Sequence, residues 1–255
     1  MDQKESRRSW WLLAGAVFLL VCGCNLPAFW TGMNPFGGIT VAEHPEIRLA
    51  SDKSLFEQAD CGEVSYGRRQ CEPESVLGKL GCSAVIEPPD ALGGLDPDLP
   101  VMACRAAFTP GEERLEPHEY LYNEGCLMPG YIRLVVWQEG SYHLLKNSED
   151  LKSVYAPIET PEEAFSYAIA ATGLEARFDL EPERNFRYHV SSLEETYVEE
   201  IEDGYRVHLF HYRLCGCGPH TTSAAAVDVG RDGSIQVGDF IPLFEDPEQD
   251  GLCVD

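Results

Sequence analysis

The placing of the cysteines constrains this fold more than any other feature. Ten occur in 255 residues. Cys22 and Cys24 close an apolar leader. Cys61, Cys71, Cys82, Cys104, Cys126, Cys215, Cys217 and Cys253 fall in the body. An even set behind an export leader reads as a disulfide framework, with roughly a hundred connectivities open to eight cysteines. Parity narrows the choice. Five of the eight precede residue 130 and three follow residue 210, so complete pairing needs an odd number of bridges between the two groups. The sequence therefore predicts at least one bridge from the early group to Cys215, Cys217 or Cys253, and two halves stapled together.

The leader supplies the compartment. Lys4, Arg7 and Arg8 make a positive start, and residues 10–21 form an apolar run. That is the pattern of an export signal, and the run is shorter than the ~20 apolar residues of a membrane span. Its end, Val21-Cys22-Gly23-Cys24, resembles a bacterial lipobox: an aliphatic residue, a small residue before the cut, then the cysteine that receives lipid. The resemblance covers these two dozen residues. It implies a lipoprotein precursor, with 1–24 removed and Cys24 as the lipid attachment site. Two or more acyl chains, at ~0.8 kcal/mol per buried methylene, anchor stably. The protein is then expected in the cell envelope, held to a membrane by its N-terminal lipid and facing outside the cytoplasm. The alternative is an uncleaved signal-anchor running through Leu26 to Trp30, which Asn25 and Pro27 interrupt.

Charge bounds the partners. With 43 acidic against 19 basic side chains the net charge is −24. Such a body repels polyanions, so nucleic acid is not an expected partner. The acids are spread along the chain, as on a solvated surface.

Texture divides the chain further. Residues 25–60, broken by Pro and Gly-Gly, read as a tether with one short strand near Ile39–Val41. Residues 61–147 read as a cysteine-rich loop and strand segment, punctuated by Pro88-Pro89, Gly93-Gly94, Asp96-Pro97 and Pro110-Gly111 until the strand pair Tyr131–Trp137 and Ser141–Leu145. Residues 148–255 read as an α+β domain. A short helix is expected over Ser148–Tyr155. A second is delimited by Thr160-Pro161-Glu162-Glu163, which combines N-cap, N1 proline and capping-box glutamate, and by Gly173 as the stop. Its apolar face would be Ala164, Phe165, Ala168, Ile169 and Thr172.

Strands then follow at Phe186–Val190, Thr196–Ile201, Tyr205–Leu214, Thr221–Val229 and Ser234–Val237, with Asp203-Gly204 and Asp232-Gly233 as turns. The expected fold class is thus α+β: an antiparallel meander packed on one or two helices, with the disulfide-rich segment N-terminal to it. Both alternating sets of Tyr205–Leu214 carry apolar residues, so both faces need cover. The helix is expected on one and the cysteine-rich segment on the other. The element order of residues 148–240 resembles the cystatin-like or PepSY-like pattern of exported bacterial proteins.

Chemistry concentrates at Cys215-Gly216-Cys217-Gly218-Pro219-His220. Thiolates and an imidazole at this spacing suit zinc or cuprous copper, with Cys253 as a fourth ligand. The compartment favours disulfides instead. A direct Cys215 to Cys217 bridge would close a very small ring, so each is expected to find a distant partner. His220 alone reads as a turn or surface residue, and His208 and His211 point to opposite faces of their strand. The stretch from Asp228 to Asp239 partly matches a calcium loop but lacks a ligand at its third position, and a β-hairpin explains it better. Glu194, Glu195, Glu199, Glu200, Glu202 and Asp203 form an acidic run, read as a solvated face. His118-Glu119 lacks the second histidine of a zincin helix, and G-x-S-x-G, Walker A and G-x-G-x-x-G patterns do not occur.

No cofactor is expected. The leading expectation is a non-enzymatic binding or structural module whose partner is a protein or envelope component. A metal-binding envelope protein using Cys215, Cys217 and His220 is the alternative, and a hydrolase a remote one.

Overall fold

The computed structural model describes residues 38–111 and 113–254. The leader, and Cys24 with it, lies outside the described residues. From Ile39 to the C-terminus the chain forms one compact unit.

Two six-stranded antiparallel sheets make up most of that unit. The first has strands β2 (Arg68–Gln70), β3 (Ala84–Ile86), β4 (Val101–Ala107), β5 (Tyr122–Glu124), β6 (Gly130–Gln138) and β7 (Ser141–Leu145). Their order is β2-β3-β4-β6-β5, with β7 also on β6. The second has strands β8 (Arg187–Tyr188), β10 (Tyr197–Ile201), β11 (Gly204–Tyr212), β13 (Thr221–Gly230), β14 (Ile235–Val237) and β15 (Ile241–Glu245). Here the order is β10-β11-β13-β15-β8, with β14 also on β13. Two short pairs complete the strands: β1 (Thr40–Ala42) runs parallel to β9 (Ser192–Glu194), and β12 (Gly216–Cys217) pairs with β16 (Cys253–Val254). The helices are α1 (Ser54–Glu57), α2 (Val76–Lys79), α3 (Ser148–Tyr155) and α4 (Pro161–Thr172). The class is α+β with a β-rich body, as the residue patterns predict.

Helix α4 starts and stops where its signals lie. Thr160 Oγ1 accepts from the Glu163 N–H at 3.2 Å, Pro161 occupies the first turn, and Gly173 terminates the helix in the left-handed region with φ 67°. Its burial differs from expectation. Seven consecutive residues, Ala164 to Ala170, are buried, not one apolar face. One core explains this, because it gathers the helix together with the inward residues of both sheets: Ala103, Ile132, Leu134 and Val136 from the first, Tyr205, Val207, Leu209, Val227 and Val229 from the second. Polar positions on the helix are satisfied within that core. Ser166 Oγ donates to Ala91 O at 2.6 Å and accepts from Gly94 N–H at 3.0 Å, and Tyr167 donates to Gly233 O at 2.9 Å.

The cysteine-rich segment therefore shares the helix's side of the second sheet instead of covering the opposite face. That opposite face is closed by Phe210, Leu243 and Phe244 packing with Leu193, Phe186, Tyr188, Ile39 and Val41. Two further expectations are corrected here. Residues from Ile39 to 60 are not a tether, since β1 pairs with β9 and Leu55, Phe56 and Ala59 enter a core on the outer face of the first sheet. Residues 61–147 are not a separate, loop-rich segment, because they form a complete sheet whose inner face belongs to the common core.

All eight body cysteines pair: Cys61 with Cys71, Cys82 with Cys104, Cys126 with Cys215, and Cys217 with Cys253. The Cys126–Cys215 bridge joins the two groups across 89 residues, as parity requires. Four bridges place the protein in an oxidising, extracytoplasmic compartment. Among the described residues no helix is long and apolar enough to cross a membrane.

Candidate functional site

The Cys215–His220 segment is a structural corner. Cys215 and Cys217 go to different partners, and the four sulfurs of their two bridges are not available as thiolates. Cys217 and Cys253 face each other across the β12–β16 pair, which holds the C-terminus to the corner. His220 is buried, at 2 % exposure, where a turn or surface residue is expected. Its Nδ1 lies 3.1 Å from Arg213 O and its Nε2 3.1 Å from Leu252 O, so the ring spans the loop and the C-terminal segment. The combination brought together here is a bridge beside an imidazole held by backbone oxygens. No cluster of three or more His, Cys, Asp or Glu able to hold a metal occurs among the described residues.

The acidic positions are similarly occupied. Arg206 donates to both oxygens of Asp228 at 2.7 and 2.9 Å and holds that carboxyl below its usual range. Lys152 donates to Asp232 at 2.8 Å, and the Ser234 N–H donates to the other oxygen at 3.0 Å. The stretch is the hairpin between β13 and β14. Within the acidic run Glu195 departs from the solvated-face expectation: it is 4 % exposed and accepts from the backbone N–H groups of His44 and Leu180, both at 3.0 Å. Those donors depress its pKa. The other acids of the run do face solvent, and Glu200 pairs with Arg231 at 2.7 Å.

The feature best suited to binding lies elsewhere, at one end of the common core. Two adjoining cavities of about 510 and 700 Å³ share Tyr122, Thr172, Leu174 and Phe240 and form one groove. Edge strand β5 of the first sheet lines one part, the end of β11 another, and the C-terminal turn of α4 lies at the junction. Phe240 is 49 % exposed and packs against His211 with ring centroids 4.8 Å apart. Leu214 and Val237 are also exposed at its rim. Cys215 and Gly125 line the wall, so the long-range bridge sits beside the groove and ties its two sides together. Burial pushes the Tyr122 phenol up, with the charge of Glu124 adding to the effect, so it lines the groove as a neutral donor.

Apart from His211 and Cys215, sequence reasoning did not reach these residues. The legible signal was an arginine ending an inward-facing apolar set, as in Val101, Ala103, Arg105, and again in Val207, Leu209, His211, Arg213. The chain matches no protein-family model, no curated protein and no solved structure.

Proposed function

We propose that this protein is a lipid-anchored, extracytoplasmic binding module whose binding face is the groove between its two sheets. The groove carries the reading: its apolar rim residue Phe240 stands half exposed at the junction of two cavities, between sheets fixed to each other by Cys126–Cys215. Clefts of this size are the usual form of ligand sites, and this one mixes apolar with polar and charged lining residues. Attachment through Cys24 agrees with the lipobox resemblance and with the oxidising compartment that the bridges require.

The test has two parts. Labelling with a fatty acid should mark the wild type and not Cys24→Ala, and undiminished labelling of the variant overturns the anchor. A photo-crosslinking residue placed at Phe240 should trap an adduct in intact cells, whereas the same residue at Trp137, exposed at the far end of β6, should not. Equal yields at the two positions overturn the groove as the binding face.

A further inference from the structure

We infer that the groove takes a small molecule bearing an oxyanion, a carboxylate or phosphate carried on an apolar or aromatic body. This rests on the reading of the groove as the binding face and adds the chemistry of what enters it. The argument begins with alternation. In β4 the residues directed into the common core run Val101, Ala103, then Arg105; in β11 they run Tyr205, Val207, Leu209, then His211, with Arg213 next in the series. A central strand of each sheet thus changes from aliphatic to basic toward the groove, in a chain whose net charge is −24.

The charges there are not balanced internally. Of the three carboxylates lining the groove, Glu175 is held by Arg177 at 3.1 Å, Glu124 faces Arg68 at 3.8 Å, and Glu149, in the smaller cavity beside Lys152, is in no ion pair among the described residues. Arg105 and Arg213 have no carboxylate partner among the described residues; the same holds for Arg69, Arg114, Arg133, Arg184 and Lys146, but of these seven only Arg105 and Arg213 line the groove. The Nε of Arg105 is buried and makes no hydrogen bond. The guanidinium is also held in place: it lies against the backbone of Gly130, where a Cβ would run into Nε, Cζ and Nη2. A planar fork fixed by backbone, on the same groove as a second unpaired arginine, suits the geometry of a carboxylate or phosphate. Tyr122, Tyr212 and Phe240 supply apolar walls for the rest of the ligand, and about 700 Å³ admits a small molecule.

The experiment is a titration of the full ectodomain, disulfides intact, with phenyl phosphate, benzoate, inorganic phosphate and neutral phenol, following the Nε–Hε resonance of Arg105. Phenyl phosphate or benzoate should shift it saturably, and the stronger of the two identifies the headgroup. Affinity should fall at least tenfold in Arg105→Gln and in Arg213→Gln, the second being an exposed substitution that leaves the core alone. Gly130→Ala, which keeps the charge but displaces the guanidinium, should weaken binding as well. Phenol binding as tightly as phenyl phosphate, or Arg213→Gln binding like the wild type, overturns the oxyanion site. Inorganic phosphate matching phenyl phosphate overturns the apolar part. If none of the probes binds while crosslinking from position 240 persists, the groove binds something else and only this inference falls.

Discussion

The ring of Tyr122 packs over Gly173, the residue that ends helix α4, so an edge strand of the first sheet is fitted to the helix terminus by the missing side chain. Gly173 needs its glycine twice. Its φ of 67° is a left-handed conformation, and a Cβ there would overlap the tyrosine ring. Gly173→Ala should therefore lower stability by about 1–2 kcal/mol from the backbone alone. It should also displace Tyr122 from the groove wall. A urea-denaturation midpoint and the Tyr122 ring resonances check both. An unmoved midpoint would show that the helix ends differently.

The Cys126–Cys215 bridge closes a loop of 89 residues containing α3, α4 and part of the second sheet. In the chain-entropy model such a loop contributes ~4–5 kcal/mol, with measured gains often smaller. Cys126→Ala/Cys215→Ala should lower the midpoint more than removal of Cys61 and Cys71, whose separation is only 10 residues. Equal losses would mean that the long bridge adds little beyond the common core.

Much of the second sheet and both long helices were legible because their signals are local. Caps, Asp-Gly turns and β-branched alternation lie within a few residues of what they specify. The first sheet was largely hidden. Ala84–Ile86 and Met102–Cys104 are short apolar runs without alternation, since both faces of these strands are buried, one by the common core and one by the Cys82–Cys104 cluster. Strand β15 was hidden by Pro242, which the sheet admits at the register shift opposite Thr222 and Ser223. The groove was illegible for a different reason: Arg105 and Arg213 stand over a hundred positions apart, and only the packing of two sheets puts them on one cavity.

His220 should be intolerant of apolar replacement. His220→Phe keeps the bulk of the ring but leaves Arg213 O and Leu252 O without it, at a cost of about 1–3 kcal/mol. The C-terminal segment should loosen with it. Faster amide exchange at Leu252 and Cys253 in the variant would register this. Unchanged exchange would mean that the Cys217–Cys253 bridge alone holds the segment.

Acid should weaken the fold through Glu195. Its backbone donors hold its pKa below the ordinary glutamate value, so the folded state binds its proton less readily than the unfolded state does. The stabilisation is then fully present above the ordinary range and is lost as pH falls through the depressed value. Glu195→Gln retains an acceptor oxygen but no charge, and its contribution does not titrate. Midpoints measured between about pH 6 and pH 3 should fall more steeply for the wild type than for the variant, the two lines converging at the acid end. His44 and Leu180, whose N–H groups meet the carboxylate, belong to the first described segment and to the loop before β8 respectively. The protection of both amides, taken relative to the unfolded chain's exchange rate at the same pH, should fall with acid in the wild type. Parallel lines for the two proteins would place the acid sensitivity in other carboxylates, of which Asp228, paired to Arg206, is the next to substitute.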